Sequence, residues 1–261
     1  MTTIKKRLEE INQKGLHLDT GELINESFEN YKKIALTAGL AFLIVTVILA
    51  ALVISGISVF YGIERYVQDF TQIEQKALSK EFLLISAGVN TLMSAIMAPF
   101  IAGILKLAHD ADMNRELSIG TTFDYYKSPK FKNIFLASFL IALLSVLAST
   151  LLQLVNMNLV GTFVSFIISF LTFLTIPLII FGDLSVKDAI TISITVINKK
   201  PLTILLAIFV AAIGSCVGII AFCLGIFFTI PYIYSMYYTI YKNIFGAEQH
   251  EIEEIGNHEH F

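Results

Sequence analysis

The sequence predicts an all-α, polytopic membrane protein: six transmembrane helices forming three parallel hairpins, each preceded by a short interfacial helix. Three observations carry this expectation. Of 261 residues, 56% are hydrophobic and only 15% are Asp, Glu, Lys or Arg, with mean hydropathy +0.74; an average soluble domain has about 25% charged residues. The apolar residues fall in uncharged runs long enough to cross a bilayer. The basic residues cluster between alternate runs.

A crossing helix needs about 20 apolar residues for about 30 Å of hydrocarbon. Ile34–Phe60 and Phe82–Ile104 each supply one. Asn133–Gly182 is uncharged and too long for one crossing at about 1.5 Å per residue. The turn-forming residues of Asn156-Met157-Asn158 divide it into Ile134–Leu154 and Val160–Phe181. Pro201–Tyr241 is likewise too long, and a break near Phe222–Gly225 gives Leu202–Ala221 and Ile226–Ile244. With this threading, fifteen of the eighteen Lys and Arg residues lie on one side, and only Arg65, Lys76 and Lys80 on the other. The positive-inside rule then predicts cytoplasmic termini. Lys5, Lys6 and Arg7 are not followed by an apolar run until Ile34, so no cleaved leader is expected.

The expected organisation is a cytoplasmic segment over 1–17, a membrane domain over 18–245 and an acidic, His-containing cytoplasmic tail over 246–261. Within the membrane domain, Leu18, Leu117 and Leu184 each open a stretch that starts Leu-Asp or Leu-Ser and reaches a Lys cluster about 14 residues on before entering a span. The second helix of each hairpin carries one proline: Pro99, Pro177 and Pro231. Pro129 and Pro201 lie at the Lys-rich entries of the second and third units. The pattern suggests three parallel repeats, about 18–112, 117–182 and 184–245. In the first entry, Glu22, Glu26, Glu29 and Lys33 share one helical face, and Ile24, Phe28 and Tyr31 lie on another. Asp19 with Glu22, and Ser185 with Asp188, have capping-box spacing. The expected role of these segments is to join hairpins at the headgroup layer. The three span prolines are candidate kink or hinge positions, with helix packing the favoured reading. The outer loop over 61–81, with Tyr66, Phe70, Ile73 and Ala77 in a helical stripe, is a candidate contact for an external partner, with a plain connecting helix the favoured reading.

Chemistry is sparse. No ionisable residue lies in the central part of any expected span. Asn90 and Gln153 are expected to hydrogen-bond between helices, for about 0.6 kcal/mol each. His109, Asp110 and Asp112 are the candidate polar cluster, with charge termination of the second span favoured over a metal site. His250, His258 and His260 sit among glutamates in the tail. Cys216 and Cys223 are expected to pack as apolar residues. Phosphate-loop, nucleophile-elbow and zinc-protease motifs are missing, and net charge −3 gives no surface for nucleic acid. No cofactor is expected.

Leu184-Ser-Val-Lys-Asp-Ala through Ser193, followed by Asn198-Lys199-Lys200-Pro201 and a span, resembles a group of bacterial six-helix membrane proteins. That group includes the membrane domain attached to some glycerophosphoryl diester phosphodiesterases. The entry at Leu18–Lys33 is similar, so the likeness covers most of 18–245. The chain has no His-Arg-Gly motif, and the resemblance implies a membrane module without that reaction. Proteins of similar appearance are sometimes labelled beta-carotene 15,15'-monooxygenase, but only His109 lies near a span, too few histidines for its iron site. The expected function is a non-catalytic inner-membrane module that organises lipids or a membrane or cytoplasmic partner protein. The alternatives are a small-molecule or lipid transporter built from three hairpins, and an interface enzyme using His109, Asp110 and Asp112. A polar cavity on the axis would favour transport; a solid centre would favour the module.

Overall fold

A computed structural model describes residues 3–56, 58–59, 80–220 and 224–246. Every regular element among the described residues is a helix. The helices are α1 (Thr3–Lys14), α2 (Thr20–Gly56), α3 (Lys80–Asp112), α4 (Phe131–Leu154), α5 (Asn158–Thr172), α6 (Thr175–Ile180), α7 (Val186–Ile197), α8 (Pro201–Cys216), α9 (Gly225–Thr229) and α10 (Pro231–Phe245). Two 3-10 helices span Ile119–Tyr126 and Val217–Ile220. Among the described residues, five stretches are long and apolar enough to cross a membrane: α2, α3, α4, Asn158–Ile180 and Pro201–Ile220. These define a multi-pass membrane protein. The sixth expected crossing is divided between α9 and α10, and neither piece alone reaches the required length. The loop expected over 61–81 falls, through residue 79, outside the described residues; so do Cys223 and the tail from 247.

The three entries into the bundle take three forms, and proline explains the difference. Pro201 stands at the first position of α8 and separates it from α7. Pro129 lies between the first 3-10 helix and α4. The first entry has no proline, so its expected interfacial helix and span are one helix, α2, of 37 residues and about 55 Å. Its first turns extend beyond the length a bilayer core needs. The face it buries is Leu23, Ser27, Asn30, Ile34, Ala38 and Ala41, spaced three and four apart. This corrects the expected apolar face: Phe28 is exposed at 45% and, with Tyr31, packs edgewise on Tyr232. The two expected caps are present, with Glu22 N–H donating to Asp19 Oδ1 at 2.9 Å and Asp188 N–H donating to Ser185 Oγ at 3.2 Å. The turn expected at Asn156 is also present, with Asn156 in the left-handed region at φ 61°.

The prolines also differ among themselves. Pro99 is inside an unbroken α3. One turn before it, the Ile96 carbonyl accepts a bond from the Tyr126 hydroxyl at 2.9 Å. Pro177 follows a two-residue break between α5 and α6. Pro231 begins α10. The three segments that carry these prolines, α3, α6 and α10, pack on one another pairwise. Around them α2 packs on α3 and α10, α4 on α3 and α5, and α8 on α10 and α2. The core is concentrated where α3, α6 and α10 end, a region we call the basic end because α1 and the Lys-rich entries meet there. The opposite ends of α2, α4 and α5 expose Leu52, Leu144, Leu151, Phe163 and similar side chains, as lipid contact requires.

One close approach fixes the first 3-10 helix on α3. A β-carbon on Gly103 would lie 2.2 Å from the Thr122 carbonyl oxygen, and Thr122 is fully buried. Gly103→Ala must therefore displace backbone. It is expected to lower the thermal midpoint of the detergent-solubilised protein, equivalent to about 1–3 kcal/mol. Gly88→Ala on the same helix has nothing within 4 Å and should leave the midpoint unchanged or slightly raised.

Candidate functional site

The polar residues at the basic end are organised around α2, α3 and α10. Asn30 on α2 donates from Nδ2 to the Ala108 carbonyl of α3 at 2.7 Å. The Ser235 hydroxyl of α10 lies 2.7 Å from the Ser27 carbonyl and 2.9 Å from Asn30 Oδ1, and its one proton is shared between them. All three side chains are buried. One asparagine thus ties three helices by side-chain bonds, in surroundings where an unpaired amide costs several kcal/mol.

The expected cluster at the end of α3 is drawn into this architecture. Asp112 accepts from the Tyr238 hydroxyl at 3.0 Å and from Lys242 Nζ at 2.9 Å, both on α10. His109 Nδ1 lies 3.2 Å from the same Tyr238 oxygen. Asp110, only 6% exposed, faces the other way and pairs with Arg115 at 3.5 Å. His109 and Asp112 therefore share one partner, while Asp110 is separate. No group of three His, Cys, Asp or Glu side chains suited to a metal occurs among the described residues. The His109 ring also meets Phe181 at 5.2 Å and Tyr238 at 5.7 Å, and Phe181 meets Tyr238 at 5.8 Å. One ring from each expected repeat unit closes the centre of the bundle at this end.

Cations here terminate helices. Lys33 Nζ donates to the Ala111 carbonyl at the end of α3 at 3.1 Å. Lys130 Nζ donates to the Ile180 carbonyl at the end of α6 at 2.7 Å and pairs with Asp183 at 2.5 Å. Arg7 Nε donates to the Ile244 carbonyl at the end of α10 at 3.0 Å. Each places positive charge at the negative end of a helix dipole. The Arg7 contact depends on α1, which buries Ile4 and Ile11 and pairs Lys5 with Asp188 at 3.3 Å. The spacing of Ile4, Leu8 and Ile11 was the available signal for that helix. Beside these groups, burial first and then the carboxylates of Asp110, Asp124 and Asp183 hold the Tyr125 phenol well above its usual range.

A second feature lies off the centre. A cavity of about 520 Å³ opens between α3, α4, the α5–α6 break and α10. No charged side chain lines it. Its walls carry Thr175, Tyr234 and Tyr237 on one side and Ser138 and Ser145 on α4. Thr175 is fully buried and its Oγ1 has no hydrogen-bond partner. No side-chain hydrogen bond joins the hydroxyls of Tyr234, Tyr237, Ser138 or Ser145 to another described residue. Pro99, Pro177 and Pro231 do not line the cavity, though their neighbours Ala98 and Ile176 do.

Two expected polar bonds are not made. Asn90 is exposed on α3 and Gln153 is half-buried on α4, and the side chain of neither bonds to a described residue. Both lie toward the bundle end where the core is thin. The asparagine that does bridge helices is Asn30, in the segment expected to lie outside the span. Cys216 is free and exposed rather than packed. No protein-family model, curated protein or solved structure matches the chain.

Asn30→Leu is expected to lower thermal stability by about 1–3 kcal/mol, because the side-chain bonds from α2 to the Ala108 carbonyl and to Ser235 are lost together. Asn90→Leu should cost nothing measurable. Equal effects in a melting assay would refute this division of labour.

Proposed function

We infer that the chain is a non-catalytic module of the bacterial inner membrane, both termini cytoplasmic, built from three parallel two-helix units and organising membrane lipids or a partner protein. The observation that carries this reading is the closed centre: His109, Phe181 and Tyr238 fill the axis where α3, α6 and α10 meet. A transport path along that axis would need an opening there. The carboxylates that an interface enzyme would use are engaged, Asp112 by Tyr238 and Lys242 and Asp110 by Arg115.

Two features support the repeat and six crossings, with α9 and α10 together making the sixth. The three proline-bearing segments pack on one another, as a pseudo-threefold arrangement requires. Lys33 and Lys130, from the Lys clusters of the first and second entries, each donate to the last turn of the second helix of their own unit. In the third unit Arg7 of α1 takes that role for α10. The resemblance of the Leu184–Pro201 stretch to six-helix bacterial membrane modules agrees with the same reading.

Gentle purification followed by mass spectrometry is expected to find lipid or a specific protein retained in stoichiometric amount. A chain that is monodisperse, folded and free of both would overturn the module. Topology is tested separately in a background with Cys216 and Cys223 replaced by serine. Met157→Cys should react with an impermeant thiol reagent only from the periplasmic side, and Lys199→Cys only from the cytoplasmic side. Labelling of both from one side would overturn the threading.

A further inference from the structure

We propose that the cavity between α3, α4, α5–α6 and α10 binds the polar part of an uncharged lipid rich in carbonyl oxygen, of diacylglycerol or quinone chemistry. The inference rests on the lipid-module reading and names the class of lipid.

The argument begins with unpaired donors. Hydroxyl groups in spans normally return their proton to a carbonyl one turn back. Thr172 does this, donating to the Ile168 carbonyl at 2.7 Å. Thr175 does not: the carbonyl four residues back, Leu171, accepts instead from Ser193 of α7 at 2.8 Å. Thr175 Oγ1 is left buried, unpaired and on the cavity wall. Tyr234 and Tyr237 bring two further hydroxyls to the same space, and Phe173 stacks on Tyr237 at 4.7 Å between ring centres. A buried donor such as Thr175 calls for an acceptor, and the two half-buried tyrosine hydroxyls offer further donors beside it.

Charge and depth then restrict the ligand. Among the described residues, the cavity is lined without a single Lys, Arg, His, Asp or Glu. The α3 wall starts at Leu105, beside Lys106, and ends at Ser94, about 18 Å from Lys106 along the helix. Lys106 points to Asp124 instead, so a phosphate drawn into the cavity would meet no lining counter-charge and would carry a large desolvation cost. Ester or quinone carbonyls need only the hydroxyl donors present. The volume lies within the range of small-ligand pockets, about 300–1,000 Å³. The wall is also reachable from outside the bundle, since Ser94 and Ser169 are exposed and the neighbouring Leu140, Leu144 and Phe166 face outward. Apolar chains would leave by that route into the bilayer.

The test uses the full chain in detergent micelles, titrated with dioleoylglycerol, a short-chain ubiquinone, and dioleoylphosphatidylglycerol as the anionic counterpart. Adducts are counted by native mass spectrometry and stability is followed by thermal melting. Dioleoylglycerol or the quinone should bind one per chain and raise the melting midpoint, and whichever does so identifies the source of the carbonyls. Thr175→Val and Tyr237→Phe remove hydroxyls with little change of shape, and each should weaken that binding about tenfold. Equal or tighter binding of phosphatidylglycerol, or affinity unchanged in both variants, would overturn the proposal while leaving the lipid-module reading intact. Failure of every lipid to bind would overturn the proposal and leave a partner protein as what the module organises. Should the variants fail to fold, a photoactivatable diacylglycerol on the unaltered protein decides: labels within 138–146 and 169–176 support the site, and labels confined elsewhere exclude it.

Discussion

The bundle is held in register by one buried amide. In hydrocarbon, burying apolar surface gives helices no reason to prefer each other over lipid. What distinguishes one arrangement from another is close packing and the few polar groups that must be answered. Asn30 joins α2 to the Ala108 carbonyl of α3 and, through Ser235, to α10. Rotating any of the three helices would strand a donor or a carbonyl, so this contact specifies the relative rotation of all three. Small residues on the same face of α2, Ala38 and Ala41 among them, let the helices approach there. This contact lies at the basic end, where Asn30, Ala108 and Ser235 are all buried.

The same end shows how one set of residues meets two demands. Lysine and arginine excess on one side sets the orientation expected for a membrane protein. Helices that finish on that side present unpaired carbonyls and the negative end of their dipoles. Lys33, Lys130 and Arg7 answer those carbonyls on α3, α6 and α10. A cation placed for topology is thus already in reach of a helix end, and α1 is held on the bundle partly by that contact. The carboxylates follow from it: Asp112 balances Lys242, Asp183 balances Lys130, and Asp110 balances Arg115. This cluster resembles an active site by composition alone. Its partners account for its charges.

Much of the helix plan was legible because it depends on local rules. Uncharged runs, the Asn156 turn and the caps at Asp19 and Ser185 each require only a few adjacent residues. The difference between entries was legible too, in the presence of Pro129 and Pro201 and the lack of a proline near Lys33. The site was less so. Asn30 and Asn90 are the same residue type on long helices, and the sequence favours Asn90 because its surroundings are more apolar. Which of them meets a partner depends on where the bundle is packed tightly, and that is set by contacts between distant segments. The cavity was hidden for a similar reason, since its walls come from four separate stretches and no spacing links Ser145 to Thr175 or Tyr237.

The off-centre position of that cavity follows from the break between α5 and α6. A continuous helix over 158–180 would run straight along its neighbours. Instead the chain interrupts after Thr172, and it is the short α6, rather than α5, that packs on both α3 and α10. Below the break the three proline-bearing segments close on the His109, Phe181 and Tyr238 rings. Above it α5 stays with α4, and a gap opens toward α10 that the side chains lining it do not fill. Pro177 contributes by removing the amide that would have bonded the Phe173 carbonyl, and Ser193 answers the carbonyl of Leu171. The short α6 thus reaches the axis through α3 and α10, while Phe173, at the break, lies on the wall of the lateral space.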